Sequence, residues 1–248
     1  MTTILAVEGL SAGYGQTTVL RDVSLSVGQG EVACVMGRNG AGKTTLLKAL
    51  MGVLPMTGTV RLHGADISRW PGHRINAAGM VWVPQEDSVF PGLTVREHLV
   101  IALNRSCDGS PTPSGLNRHK NGGSCVDEGI DAASALFPVL GNRLGQQAQT
   151  LSGGERKMLG LAQALIVRPQ VVLMDEPTEG VAPVVVEQLI PTIAAVAREA
   201  AVVLVEQNID TALALGSRAY VLEQGSIVES GSVGDLHDRG VLELRLAL

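Results

Sequence analysis

Residues 37–44 read Gly-Arg-Asn-Gly-Ala-Gly-Lys-Thr and match the phosphate-binding pattern G-x-x-x-x-G-K-[ST]. A nucleoside triphosphate is strongly negative, and glycines let backbone N–H groups approach it closely. We expect the Lys43 ammonium to reach the β- and γ-phosphates and the Thr44 hydroxyl to bind Mg²⁺. The predicted phosphate-binding residues are Gly37, Arg38, Asn39, Gly40, Ala41, Gly42, Lys43, Thr44 and Thr45.

The elements around this pattern are those that it requires. Residues 31–36 form a short apolar run that predicts a buried strand. Residues 44–51 contain good helix formers, and Gly52 is a suitable stop. The resulting strand, loop and helix favour a nucleotide site over a glycine-rich turn with a solvated lysine.

Two adjacent carboxylates follow a second apolar run. Residues 171–174 predict a buried strand, and Asp175 and Glu176 come next. A carboxylate at the end of a strand can hold Mg²⁺ through water. The alternative is an acidic pair that faces solvent, but a nearby phosphate-binding loop favours the magnesium site.

The segment Leu-Ser-Gly-Gly-Glu at residues 151–155 supports two interpretations. Ser152 and Glu155 have the spacing of a capping box, which begins many helices. A capped helix start with two glycines also leaves N–H groups free to meet an anion. The two interpretations are compatible.

Composition restricts the class of protein. A chain of 248 residues with 45% hydrophobic and 17% charged residues predicts one ordered domain. A net charge of −5 argues against binding of nucleic acid. The sequence shows no membrane-spanning run and no secretory signal at its start, and the spacing of the three cysteines fits no common zinc site.

Strands alternate with helices along the rest of the chain, which predicts an α/β fold with a mainly parallel sheet. The further predicted strands are 60–62, 80–83, 201–205, 220–222 and 227–228, the last two forming a hairpin around Gln224-Gly225. The further predicted helices are 94–103, 126–137, 152–167, 183–200 and 209–215. Residues 106–124 are rich in Gly, Ser and Pro and predict a mobile, disordered surface insert.

These motifs together resemble the ATP-binding subunit of an ABC transporter, and the likeness runs from about Ile4 to Val233. The resemblance implies a P-loop NTPase fold of the ABC ATPase type, with an antiparallel β subdomain and a helical subdomain beside the core sheet. It implies a single domain over residues 1–248 with the helical subdomain at about 86–167. It also implies that the chain is an ATPase that uses ATP and Mg²⁺.

The resemblance assigns roles to individual residues. Glu176 corresponds to the glutamate that polarises the attacking water, and Asp175 to the magnesium ligand. Gln85 corresponds to a glutamine that senses Mg²⁺ and connects ATP to the membrane partner, and Tyr14 to an aromatic that stacks on adenine. Residues Ser152, Gly153 and Gly154 correspond to a motif that contacts the γ-phosphate on the opposite subunit, which implies a dimer.

Two positions depart from the general ABC pattern. Gln207 stands where most members have a histidine that contacts the γ-phosphate; an amide donates a hydrogen bond but carries no proton or positive charge. Ala182 stands where many members have an aspartate. These departures are similar to those of importers for branched-chain amino acids and their urea and amide relatives.

The subfamily resemblance implies transmembrane permease subunits as partners, a second identical or different ABC ATPase, and, indirectly, an extracytoplasmic solute-binding protein. It places the chain peripherally on the cytoplasmic face of the cell membrane. Alternatives remain open: a urea or amide importer, a low-activity regulatory subunit marked by Gln207, an exporter subunit, or a soluble ABC ATPase acting on nucleic acid or ribosomes.

Overall fold

The computed structural model describes residues 2–85, 89–107 and 122–246. In these ranges the strands are β1 (Thr3–Tyr14), β2 (Thr17–Gly28), β3 (Val32–Met36), β4 (Met56–Leu62), β5 (Ala65–Asp66), β6 (Met80–Val83), β7 (Val171–Asp175), β8 (Ala201–Glu206), β9 (Arg218–Glu223) and β10 (Ser226–Ser232). The helices are α1 (Lys43–Leu50), α2 (Gly72–Ala77), α3 (Val95–Cys107), α4 (Gly122–Leu136), α5 (Pro138–Gly141), α6 (Gly153–Leu165), α7 (Pro183–Ala197), α8 (Ile209–Leu215), α9 (Val233–Asp238) and α10 (Val241–Leu246).

The larger of the two sheets has six strands in the order β10-β9-β3-β8-β7-β6. All neighbours are parallel except β10, which pairs antiparallel with β9. Every residue of β3, β7 and β8 is buried, as expected for central strands of a sheet that is covered on both faces. The predicted mainly parallel sheet is therefore confirmed.

The smaller sheet is antiparallel, with the order β2-β1-β4-β5. This confirms the antiparallel part of the predicted fold. Residues alternate along β3 between the two faces of the larger sheet. Ala33 and Val35 belong to the hydrophobic cluster shared with α1 and the small sheet, whereas Cys34 and Met36 belong to the cluster shared with α6, α7 and α8. The central strand thus anchors two cores.

Several predicted boundaries need correction. Helix α7 ends at Ala197, three residues earlier than the sequence predicted. The predicted insert at 106–124 is wrong at its ends, because α3 continues to Cys107 and α4 begins at Gly122. Once a helix is nucleated, each further residue gains a hydrogen bond in return for the backbone entropy it loses, so both helices can extend into polar sequence. The rest of that insert, residues 108–121, lies outside the described residues.

No helix in the described part of the chain is both long and apolar enough to cross a membrane.

Candidate functional site

The phosphate-binding loop lies between β3, which ends at Met36, and α1, which begins at Lys43. Gly40 and Gly42 have φ values of +82° and +111°, a region that is strained for any side chain. A Cβ atom at Gly37 would lie 2.5 Å from the carbonyl oxygen of Leu222. The local backbone therefore requires glycine at these three positions of the motif.

A cleft of about 340 Å³ opens at this loop. Its lining residues are Val19, Asn39, Gly40, Gly42, Lys43, Thr44, Thr45, Gln85, Glu176 and Glu179. Most of the predicted phosphate-binding residues thus line one space, together with two predicted residues from distant segments, Gln85 and Glu176. Gly37, Arg38 and Ala41 complete the loop without lining the cleft.

The Lys43 side chain is buried at the base of the cleft, with only 5% of its surface exposed. Its ammonium donates hydrogen bonds to the carbonyl oxygens of Gly37 at 2.7 Å and Arg38 at 3.2 Å. It also forms an ion pair with Glu176, with Nζ 2.9 Å from Oε1. The lysine therefore fixes the loop while its charge is neutralised by the predicted catalytic carboxylate.

Glu176 follows β7 with a left-handed backbone, φ +47°. Such a conformation costs on the order of 1–3 kcal/mol for a residue other than glycine and persists only where its surroundings enforce it. The Glu176 amide donates to the carbonyl oxygen of Val205 at 3.0 Å, and the Gln85 amide donates to Glu176 Oε2 at 3.4 Å. Gln85 also donates to the carboxylate of Glu179.

The carboxyls of Glu176 and Glu179 share one environment. Burial opposes ionisation of Glu176, but the neighbouring Glu179 carboxyl and the Lys43 ammonium outweigh it and hold the pKa of Glu176 below its ordinary value. The Glu176 carboxyl in turn raises the pKa of Glu179. The first proton therefore goes to Glu179, and Glu176 is kept ionised.

Asp175, the last residue of β7, is almost completely buried. Within the described part of the chain, neither of its carboxylate oxygens makes a hydrogen bond of ordinary geometry. Burial raises the pKa of this carboxyl, although the nearby Thr44 hydroxyl opposes the shift. A buried carboxylate left without a hydrogen bond fits a bound cation, and hard oxygen donors from Asp175 and Thr44 suit Mg²⁺.

Tyr14 ends β1 and does not line the cleft. Tyr14 is 45% exposed, and the Lys48 ammonium of α1 lies over its ring, 5.8 Å from the ring centroid. The ring therefore lies at the surface beside the helix that follows the phosphate-binding loop.

Gln207 directly follows β8, whose last residue pairs with Met36 at the end of β3. It therefore lies at the same edge of the sheet as the phosphate-binding loop, but it does not line the cleft. The preceding Glu206 is buried and accepts hydrogen bonds from the backbone and hydroxyl of Thr178, at 3.3 and 2.8 Å.

Ser152 caps α6, and the capping box with Glu155 is present in full, so that interpretation is confirmed. The segment 152–154 does not line the cleft of its own chain. A Cβ atom at Gly154 would lie 2.8 Å from Val185, whereas a Cβ at Gly153 would meet no described atom within 4 Å. Packing within the chain explains one glycine of this segment and not the other.

The sequence of these elements matches a known family. The model of the family described as ABC transporter matches residues 20–179, which is more than half of the chain. The chain belongs to the ABC transporter family. It is an ABC ATPase subunit that binds ATP.

Relatives of this ABC ATPase include subunits named for amino acid transport and for lipopolysaccharide export. It is 36% identical to the high-affinity branched-chain amino acid transport ATP-binding protein BraG of Pseudomonas aeruginosa, over 96% of this chain and 93% of that protein. It is 34% identical to the lipopolysaccharide export system ATP-binding protein LptB of Haemophilus influenzae, over 92% of this chain and 90% of that protein.

A solved structure has the same fold. The crystal structure of a nucleotide-free ATP-binding cassette from an ABC transporter superimposes with a TM-score of 0.83 and 26% identity, covering 100% of this chain and 99% of that one. The predicted ABC ATPase fold is therefore confirmed.

Sequence reasoning missed three residues near the site of this ABC ATPase. Val19 and Glu179 line the cleft, and Lys157 of α6 donates hydrogen bonds to the backbone carbonyls of Glu176 and Glu179. Glu179 could have been found from the sequence, because it is an acidic residue only three positions after Glu176. Lys157 offered none, because its partners are backbone atoms of another segment.

Proposed function

We propose that this chain is the ATP-hydrolysing motor subunit of an importer for branched-chain or related amino acids. The observation that carries the ATPase mechanism is the pairing of the buried Lys43 ammonium with Glu176 in the phosphate-binding cleft. The similarity to BraG supports amino-acid import. Export is the second candidate, because the identity to LptB is nearly as high.

Lys43 binds the γ-phosphate of ATP through its ammonium. Its ammonium forms an ion pair with the Glu176 carboxylate and donates to two carbonyl oxygens of the loop. A phosphate oxygen can replace the Glu176 carboxylate there, since it brings a greater negative charge to the same position. The exchange leaves Glu176 free to accept a hydrogen bond from water.

Glu176 activates that water. Its lowered pKa keeps it ionised, so it can accept a proton as the water oxygen bonds to the γ-phosphorus and the bond from that phosphorus to the β,γ-bridging oxygen breaks. The products are ADP and phosphate. Gln85 orients the same water or the metal shell; its hydrogen bond to Glu176 supports this role. A positioned general base contributes on the order of 10²–10⁴-fold in rate.

Asp175, Thr44 and Gln85 would hold Mg²⁺, whose bound charge neutralises the triphosphate. Tyr14 stacks on adenine from the surface beside α1, and Gln207 donates its amide to a γ-phosphate oxygen. Neither residue lines the cleft: Tyr14 lies beside α1, and Gln207 lies at the edge of the sheet where β3 ends.

The functional unit is a dimer. Ser152, Gly153 and Gly154 do not line the cleft of their own chain, and the open space at Gly153 suits a phosphate carried by a second subunit. We assign these residues to the site of the opposite ATPase. Closure of the dimer on ATP then moves the permease subunits. These subunits hold the chain at the cytoplasmic face of the membrane. A solute-binding protein delivers the amino acid to them. The helical subdomain, about residues 86–167, is the part that faces the permease.

Affinity purification from native membranes tests the transport assignment. With this subunit as bait, we expect two permease subunits and a second ATPase, and transport of a radiolabelled branched-chain amino acid by proteoliposomes of the purified complex. Recovery of lipopolysaccharide-export components would favour the second candidate. Recovery of ribosomes without a membrane protein would refute transport.

Steady-state ATPase activity tests the mechanism separately. The isosteric Glu176→Gln should retain ATP binding and lose hydrolysis by at least about 100-fold. Activity that persists in this variant would show that Glu176 is not the base. A wild-type rate that is low and no higher than that of the variant would instead favour a low-activity regulatory subunit.

A further inference from the structure

We propose that Lys157 is a positioning residue that couples helix α6 of one subunit to the catalytic turn at Glu176 in the same subunit, and so links the two ATP sites of the dimer. This inference rests on the proposed function, because α6 meets the opposite nucleotide only in that dimer.

Lys157 lies on the first part of α6, four residues after Gly153. Its ammonium donates a hydrogen bond to the carbonyl oxygen of Glu176 at 3.1 Å and another to the carbonyl oxygen of Glu179. Because these two acceptors are backbone atoms, the contact holds the path of the chain after β7 and leaves the carboxyl groups of Glu176 and Glu179 available to the cleft.

The turn that Lys157 holds is a strained one. Glu176 has a left-handed backbone, and its carbonyl oxygen also accepts the amide of Glu179 at 3.2 Å. A strained conformation persists where several contacts fix it. The ammonium binds both ends of this turn, so loss of the charge would release the backbone that aims the Glu176 carboxylate at Lys43.

Helix α6 connects this turn to the other site. Its N-terminal residues Ser152, Gly153 and Gly154 are the ones assigned to the opposite nucleotide. Four residues of helix separate Gly153 from Lys157, about 6 Å along the axis. The capping box makes the first turn of α6 rigid, so a shift of that turn on the opposite phosphate is transmitted to the carbonyls of Glu176 and Glu179.

The predicted consequence is cooperativity. When helix α6 of one subunit contacts the ATP bound to its partner, Lys157 positions Glu176 in its own subunit. The two sites therefore hydrolyse ATP cooperatively. A residue that only supported the fold would change thermal stability, but would leave the dependence of rate on ATP concentration the same in shape.

Three substitutions at Lys157 test this. Lys157→Met removes both hydrogen bonds and the charge at similar length, Lys157→Gln keeps a donor without charge, and Lys157→Arg keeps both. Gln163→Met is the matched control, because Gln163 lies on the same helix and donates to a carbonyl oxygen of α3, that of His98, at 3.4 Å. ATPase rates are measured in the assembled transporter over a range of ATP concentrations, with the melting temperature of each variant.

For Lys157→Met we expect kcat to fall about tenfold, equivalent to about 1.4 kcal/mol of activation free energy. KM should change less than about threefold, and the Hill coefficient should fall from near 2 toward 1. Lys157→Arg should restore most of both, Lys157→Gln should be intermediate, and Gln163→Met should match the wild type.

The inference is overturned if Lys157→Met folds and its kcat and Hill coefficient equal those of the wild type. If Lys157→Met does not fold, the comparison of Lys157→Gln with Lys157→Arg decides: equal Hill coefficients overturn it. Glu176→Gln is assayed in parallel. Suppose that Glu176→Gln is inactive and the wild type is cooperative. If Lys157→Met then has the kcat and the Hill coefficient of the wild type, only this inference fails. If the wild type itself shows no cooperativity, the inference fails and the proposed function stands. If Glu176→Gln is active, the proposed mechanism fails and the inference fails with it.

Discussion

Alanine at Gly153 should separate the role of this residue in the fold from its role in the dimer. Gly153 opens helix α6 with a backbone outside the left-handed region, and a Cβ there meets no described atom within 4 Å. An alanine should fit this chain without strain. In the proposed dimer, however, the same Cβ points into the space that the opposite γ-phosphate occupies.

The two effects have opposite signs. A strain-free change from glycine to alanine stabilises a protein by about 0.4–1 kcal/mol, mainly because the unfolded chain has fewer conformations. For a chain of this size that raises the melting temperature by about 1–4 °C. Pushing the backbone away from a phosphate loses a hydrogen bond to a charged group, worth about 1.5–3 kcal/mol, and the ATPase rate should fall roughly 10–100-fold.

Gly234 is the matched control. It lies in the first turn of helix α9, behind the N-cap Ser232, and a Cβ there also meets no described atom within 4 Å. Gly234→Ala should give a similar rise in melting temperature with unchanged ATPase activity. The assays are differential scanning calorimetry and phosphate release in the assembled complex. If Gly153→Ala has the ATPase activity of the wild type, Gly153 does not lie at the opposite nucleotide. If its melting temperature is below that of the wild type, the space around a Cβ at this position is not open.

Two further predictions concern Glu206 and Tyr14. Burial raises the pKa of Glu206, so the native state binds its proton more tightly than the unfolded state, and the stability of the wild type should fall as pH rises above about 4.3 through the raised pKa. Glu206→Gln lacks this titration, so its stability relative to the wild type in urea unfolding should increase from pH 5 to pH 8; parallel curves would contradict the assignment. Tyr14→Ala should raise the KM for ATP about tenfold, in the range expected for loss of stacking on a base, while Tyr14→Phe should not; equal KM values would exclude stacking.

Elements bounded by strong local signals were predictable. The strand before the phosphate-binding loop, the helix after it, the capped helix α6 and the hairpin of β9 and β10 all follow from short patterns of residue type. Strands β1 and β2 were missed although each has twelve residues, because β-bulges interrupt their pairing at several points and break the alternation of polar and apolar residues. Helices α9 and α10 were missed because each spans only six residues, too few for a periodic pattern.

The sequence by itself determined the chemistry of the phosphate-binding loop, the acidic pair and the capped helix, because each is a run of a few residues whose local backbone has few alternatives. Only the tertiary structure brought Gln85 within reach of Glu176, 91 residues away, and paired Glu176 with Lys43. Parallel strands place their carboxyl ends at one edge of the sheet, so residues that are distant in the chain meet there. Lys157 depends on tertiary structure entirely, because a hydrogen bond to a backbone carbonyl leaves no trace in the identity of the residue that accepts it.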